Sequence, residues 1–346
     1  MNKTSSAKVR NAIFGSAYGD AWGYRQEFKN FETISLEQPE FPNKTAFITD
    51  DTQMGLTAMK AVLDNWDIIS NITLNASNEE DFSRHMRIMF GYEFIDWQND
   101  PRNNRAPGNA CMTALYQLSS TTIRTGLEGT QYNSKGCGAN MRNPWFGLLP
   151  LPEDKIIRLS ILQAEVTHGH PLALSSAVLT ALVTRAIFTG EVQIATGNNQ
   201  LFQYAVQKTQ ELLAAETNKL VPINPRYTVG LFLLSEFIDS HKEMVEDFGN
   251  NPIDTDPCVL LNSAGWVAEE ALLTALVVGD MHGDNPVEAL RRIVYTSGDS
   301  DSMAAIMGTF VGASHSEPVF PQEWENRLEP EYLQDLNSRV AHIVSL

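Results

Sequence analysis

Residues 172–188, LALSSAVLTALVTRAIF, carry apolar side chains on nearly every side of a helix, and no other stretch constrains the fold as strongly. A helix that is hydrophobic all round has to be enclosed, by lipid or by other helices. Ser175, Ser176 and Thr180 interrupt this one, and nowhere does the chain hold the run of about 18 apolar residues that a membrane span needs. The segment is therefore expected in the middle of a helical bundle. Pro171 suits its first position, where a missing N–H leaves nothing unpaired.

Partners for such a helix are easily found. Ile156, Leu159, Leu162 and Val166 step by three and four, the stripe of an amphipathic helix that stops at Thr167-His168-Gly169-His170. After Asp301, one helical face carries Met303, Ile306, Met307, Phe310 and Val311. Another repeats Ala304, Gly308 and Gly312 every four residues, a small stripe that lets a neighbouring helix come close. Helical periodicity also covers roughly 6–24, 52–65, 79–97, 108–119, 198–217, 227–246, 264–279, 286–297 and 331–345. Loops rich in Gly, Pro and Asn fall near 28–48, 98–108, 125–151 and 248–262. Alternating strand patterns are scarce, no loop reads as an interdomain linker, and no solenoid repeat occurs. The expectation is a single all-α domain over residues 1–346.

A formal charge of −17 argues against a surface that tracks nucleic-acid phosphates, because such binding requires basic groups to displace counterions. An anionic ligand would need a local positive centre: a bound metal, a helix N-terminus or a few basic side chains. Met1 to Arg10 is polar and lacks the apolar core of a signal peptide. Cys111, Cys137 and Cys258 are odd in number and widely spaced, which fits reduced thiols. A cytoplasmic protein is expected, with no membrane partner.

Two acidic knots stand out, T-D-D-T-Q-M at 49–54 and G-D-S-D-S at 298–302, each opening an apolar helix. Capping explains one acid or hydroxyl at a helix start and is worth about 1 kcal/mol. Adjacent carboxylates repel one another, and two acids plus hydroxyls within a few residues exceed what a cap needs. Oxygen-only clusters of this kind suit hard divalent cations, so capping and metal binding both remain open here. Residues 15–28, GSAYGDAWGYRQEF, place Gly15, Gly19 and Gly23 on one helical face, as close helix packing requires, with Asp20 and Glu27 as polar positions beside it. The glycines of S-K-G-C-G-A-N-M-R, 134–142, permit a tight turn whose N–H groups suit a phosphate. In T-H-G-H-P, 167–171, histidines two apart cannot share one helix face, so a hydrogen-bonding role in a loop is favoured over a helical metal site.

Taken in this order, these stretches resemble the ADP-ribosylglycohydrolase family: Gly19-Asp20-Ala21-Trp22-Gly23 with Glu27, Thr49 to Met54, Gly136 to Arg142, Thr167 to Pro171, Trp266, and Gly298 to Ala313. The resemblance implies a compact orthogonal bundle of many helices around a cleft holding two divalent cations, Mg²⁺ or Mn²⁺. It implies Thr49, Asp50, Asp51, Asp299, Asp301 and Ser302 as metal ligands, Ser302 standing where many members have Thr. Glu27 matches a mobile acid tied to substrate access or water activation, and shares the catalytic role with Asp299 and Asp301. Ser134, Lys135, Gly136, Cys137, Gly138 and Met141 match a loop around the diphosphate and its ribose. His168 matches a phosphate-ribose contact, and Trp266 an aromatic that stacks on adenine.

A two-metal centre suits cleavage of a ribosyl bond, since it can grip ribose hydroxyls and acidify a bound water. The implied reaction removes ADP-ribose from a modified acceptor, foremost mono-ADP-ribosylated arginine on protein, by a monomeric enzyme. Hydrolysis of a serine, nucleobase or small-molecule conjugate is the alternative, or a non-catalytic immunity or structural role. Some arginine-directed members carry an Asp in the loop where this chain reads R-A-P-G-N-A-C, 105–111, and Asp100 is the nearest acid.

Overall fold

The helix read at 172–188 extends from Pro171 to Thr189 and lies where its composition requires. In this computed structural model, which describes residues 3–105, 107–195, 197, 199–219, 223–248 and 255–346, it is packed by the helices Glu153–Glu165, Pro225–Ser240, Ala268–His282 and Ser300–Ser314. It is the one described helix long and apolar enough to cross a membrane, yet 83% of that stretch is buried inside the protein. The described residues form helices throughout, joined by loops with three isolated bridges and no strand. The fold is all-α.

The helix pair that positions the site is Lys3–Gly23 against Ser300–Ser314. A Cβ at Gly19 would lie 2.0 Å from the Ala304 carbonyl oxygen, and one at Gly23 would lie 2.4 Å from that of Ser300. From the other side, a Cβ at Gly308 would lie 2.0 Å from the Gly15 carbonyl and one at Gly312 2.2 Å from that of Asn11. The two small-residue faces read separately from sequence are thus each other's partners, and the backbones meet directly. This approach brings Asp20 and Glu27, near the end of the first helix, beside Asp299 and Asp301 at the start of the other.

Several boundaries differ from the sequence expectation, each for a local reason. The helix expected at 52–65 starts at Asp50, so the acidic knot is its first turn. The helix expected at 264–279 begins only at Ala268, because the Glu270 carboxylate accepts from the N–H groups of Ala264 (2.9 Å) and Gly265 (3.2 Å). The one at 286–297 ends at Val294, after which Asp256 captures the Thr296 hydroxyl and the Ser297 amide. The stretch 227–246 is two helices, Pro225–Ser240 and Lys242–Phe248, divided where the His241 ring folds back to the Phe237 carbonyl at 2.7 Å. Phe31–Glu37 and Pro257–Leu260 are helices inside expected loops, too short for periodicity to reveal. Residue 198, the expected start of the Gln200–Thr217 helix, and 249–254 of the expected 248–262 loop lie outside the described residues.

Candidate active site

The two acidic knots do contain caps, one each. Thr49 caps the Asp50–Asp64 helix by accepting from the Asp51 amide at 3.3 Å, and Asp299 caps the Ser300–Ser314 helix by accepting from the Ser302 amide at 3.2 Å. Asp50, Asp51 and Asp301 are then surplus to capping. Asp50 instead holds the Gly108 amide at 3.1 Å. Asp51 keeps a buried carboxylate oxygen, Oδ1, with no hydrogen-bond partner. Beneath them lies Asp20, fully buried, which accepts from the amide and hydroxyl of Thr49 (2.9 and 2.8 Å) and of Thr52 (3.1 and 2.5 Å). This single carboxylate from the first helix fixes the turn that presents Asp50 and Asp51.

Two carboxylate triads result. Asp20, Asp51 and Asp301 each offer an oxygen within 4.8 Å of the others, and so do Glu27, Asp299 and Asp301. Asp301 belongs to both. Burial raises all these acids: Asp20 is pushed up to about 6 despite its four donors, and Asp50 to about 7. Glu27 rises to about 7 through burial and then the charges of Asp299 and Asp20, Asp299 is also raised, and Asp51 and Asp301 go well above the ordinary carboxylate range. Gathering so many acids without a basic partner is unfavourable unless positive charge is supplied. An orphaned buried oxygen, oxygen-only donors and two triads sharing one residue all fit hard divalent cations. Thr49 is buried behind the triads with its hydroxyl directed to Asp20 and Asp51, while Ser302 lines the cleft, its hydroxyl 3.7 Å from the Met141 sulfur.

The triads form one end of a cleft of about 450 Å³, within the range of small-molecule sites. Glu27, Asp50, Asp51, Asp299 and Asp301 line that end, and Ser134, Gly136, Cys137, Gly138, Met141, His168 and Trp266 line the rest. The glycine loop is strapped to the segment before the Ala268 helix, the Cys137 amide donating to Trp266 O and the Ala268 amide to Lys135 O, both at 2.9 Å. Gly138 is tightly enclosed, since a Cβ there would lie 2.8 Å from the Cys111 sulfur and 3.0 Å from the His168 ring. Trp266 is 56% exposed, leaving its ring available to a ligand.

His168 is fully buried and its pKa falls to about 3, through burial and then the Arg142 charge, so it is neutral. Arg142 Nη2 donates to the Thr167 hydroxyl at 2.8 Å, and that hydroxyl lies 2.8 Å from His168 Nδ1, which fixes the ring. Its Nε2 faces Gly136 and Gly138.

One sequence expectation is corrected. Lys135 does not line the cleft: its ammonium pairs with the buried Glu269 carboxylate, which anchors the loop from behind. Asp100, the acid nearest the 105–111 loop, pairs with Arg102 at 2.8 Å and lies outside the cleft. What the 105–111 loop brings to the cleft instead is Arg105, Gly108, Asn109, Ala110 and Cys111. Arg105 is held by Glu329 and by the Ile48 carbonyl at 2.7 Å; Ala106 lies outside the described residues. From sequence Asp20 is a polar position beside a packing face, and its only signal is its place in G-D-A-W-G.

The ADP-ribosylglycohydrolase family model matches residues 1–345. Among curated proteins, the chain is 22% identical to the ADP-ribosylhydrolase ARH3 of Xenopus tropicalis, the alignment covering 94% of this chain and 92% of that protein. It is also 22% identical to the ADP-ribosylhydrolase ARH3 of Homo sapiens, over 98% and 94%, and to the ADP-ribosylhydrolase ARH1 of Dictyostelium discoideum, over 93% and 90%. A solved structure described as an ADP-ribosylglycohydrolase-related protein complex superposes with a TM-score of 0.63 at 18% identity, covering 99% of this chain and 98% of the other. The resemblance drawn from the motifs is borne out.

Proposed function

The chain belongs to the ADP-ribosylglycohydrolase family and is a glycohydrolase, and from that premise we propose that it releases ADP-ribose from arginine side chains of modified proteins, using two divalent cations, Mg²⁺ or Mn²⁺. The observation that carries the reading is the pair of carboxylate triads sharing Asp301 at one end of a ligand-sized cleft. Asp20, Asp50, Asp51, Asp299, Asp301 and Glu27 would hold the cations, with Thr49 and Ser302 as hydroxyl ligands. Once bound, the cations would neutralise charge, orient ribose hydroxyls and acidify a coordinated water.

The chain's own residues supply the rest. Glu27, half-buried with its carboxyl near 7, takes the proton of the water that attacks the anomeric carbon as the bond to the acceptor breaks, and passes it to the departing nitrogen. The surrounding carboxylates stabilise the positive charge that develops on the sugar. The glycine loop around Gly138 and the His168 ring bind the diphosphate, and the half-exposed Trp266 stacks on the adenine. A preference for arginine follows from charge: two dications cancel four of the six carboxylates, and the remainder complements a guanidinium.

The test is a set of arginine-linked, serine-linked and nucleobase-linked ADP-ribose substrates incubated with the protein and Mg²⁺. ADP-ribose release from the arginine conjugate is expected. Release only from another linkage would replace the acceptor, and release from none would overturn the reading.

A further inference from the structure

A cleft of about 450 Å³ accommodates a small ligand, so a macromolecular acceptor attached at the triad end has to pass over the rim there. One edge of that end is Phe28, whose amide donates to the Gly298 carbonyl at 3.1 Å. Beside this edge lies a second concavity of about 680 Å³, and the chain crosses from one to the other twice: Glu27 and Phe28 line the cleft where Asn30 and Phe31 line the groove, and Asp299 lines the cleft where Ser297 lines the groove. Phe28 takes a left-handed backbone, φ 53°, an unfavourable conformation for a bulky residue. Such strain persists where its surroundings enforce it, and it recurs at functional sites. Its effect here is to turn the chain from cleft to groove while leaving the Phe28 ring 58% exposed on the rim.

From this geometry we propose that the groove seats the polypeptide flanking the modified residue, as an extended segment carrying a basic side chain and an aliphatic one. The inference rests on the hydrolase reading above. Charge and continuity select the occupant. Among the described residues no basic side chain lines the groove, whose acids are the exposed Glu32 and the buried Asp256, the latter spent on Thr296, Ser297 and Cys258. Its most exposed apolar residue is Val259, 69% exposed. Glu32 then faces the basic residue and Val259 the aliphatic one.

The experiment compares ADP-ribose joined to free arginine with the same linkage on a basic protein, using wild type, Val259→Glu and Glu32→Lys with Mg²⁺. Both variants are surface changes outside the cleft. KM for the protein substrate is expected to rise about tenfold in each, with kcat unchanged and the small conjugate turned over as by wild type. Equal changes on both substrates, or none on either, overturn the groove assignment while leaving the hydrolase reading standing. Wild-type failure on both substrates overturns the arginine-acceptor reading and the groove with it.

Discussion

Asp299 does two things with one carboxylate: it caps the Ser302 amide at 3.2 Å, and it offers an oxygen to the triad with Glu27 and Asp301. The two can be separated by experiment. Asparagine is as good an N-cap as aspartate, so Asp299→Asn keeps the helix start and removes the charge. Turnover is expected to fall at least a hundredfold, about the loss seen when the shell around a metal is damaged, with an unchanged circular dichroism spectrum; normal turnover in the purified variant would contradict the ligand role. Thr167 offers a second separation. Its hydroxyl accepts from Arg142 and holds the His168 ring through Nδ1, so Thr167→Val should raise KM by about tenfold, as the loss of one well-placed hydrogen bond does, and leave kcat nearly unchanged. Steady-state kinetics would show the opposite pattern if His168 acted in the chemical step.

At the scale of elements, the site depends on two helices whose backbones touch. A side chain at Gly19 would meet the carbonyl of Ala304, which is backbone and cannot swing away. Gly19→Ala is expected to destabilise the protein by about 3 kcal/mol, at the upper end for overpacking, read as a lower urea midpoint with an unchanged m-value; stability within experimental error of wild type would mean the helices are free to separate. The contact was legible in sequence as two small-residue stripes, but their pairing was not, because a stripe says that something comes close and not what does. Asp20 was hidden for the same reason. Its meaning comes from Thr49 and Thr52, about thirty residues away, whereas Asp50, Asp51, Asp299 and Asp301 announced themselves by adjacency. Lys135 misled in the opposite direction: a basic residue in a phosphate-type loop invites a ligand role, and only the fold reveals Glu269 behind it.

For the whole molecule, the concentration of carboxylates in a chain of charge −17 makes stability a function of pH. Asp20, Asp50 and Glu27 have folded values of about 6, 7 and 7, above the unfolded values of about 4. The folded protein thus holds more protons than the unfolded chain between roughly pH 4 and pH 7, and the stability these groups contribute is complete below that window and lost as pH rises through it. Metal-free protein should melt at a lower temperature near pH 8 than near pH 5.5, and Mg²⁺ or Mn²⁺ should raise the melting temperature mainly at the higher pH. A metal-free melting temperature that is flat or rises across this range would show that the acids are not held in mutual repulsion. The same cluster decides function, and the most direct measurement is ADP-ribose release from an arginine-linked substrate before and after chelation. EDTA should abolish release and added Mg²⁺ or Mn²⁺ restore it, whereas release that continues undiminished in chelator would contradict a metal-dependent site built on Asp50, Asp51, Asp299 and Asp301.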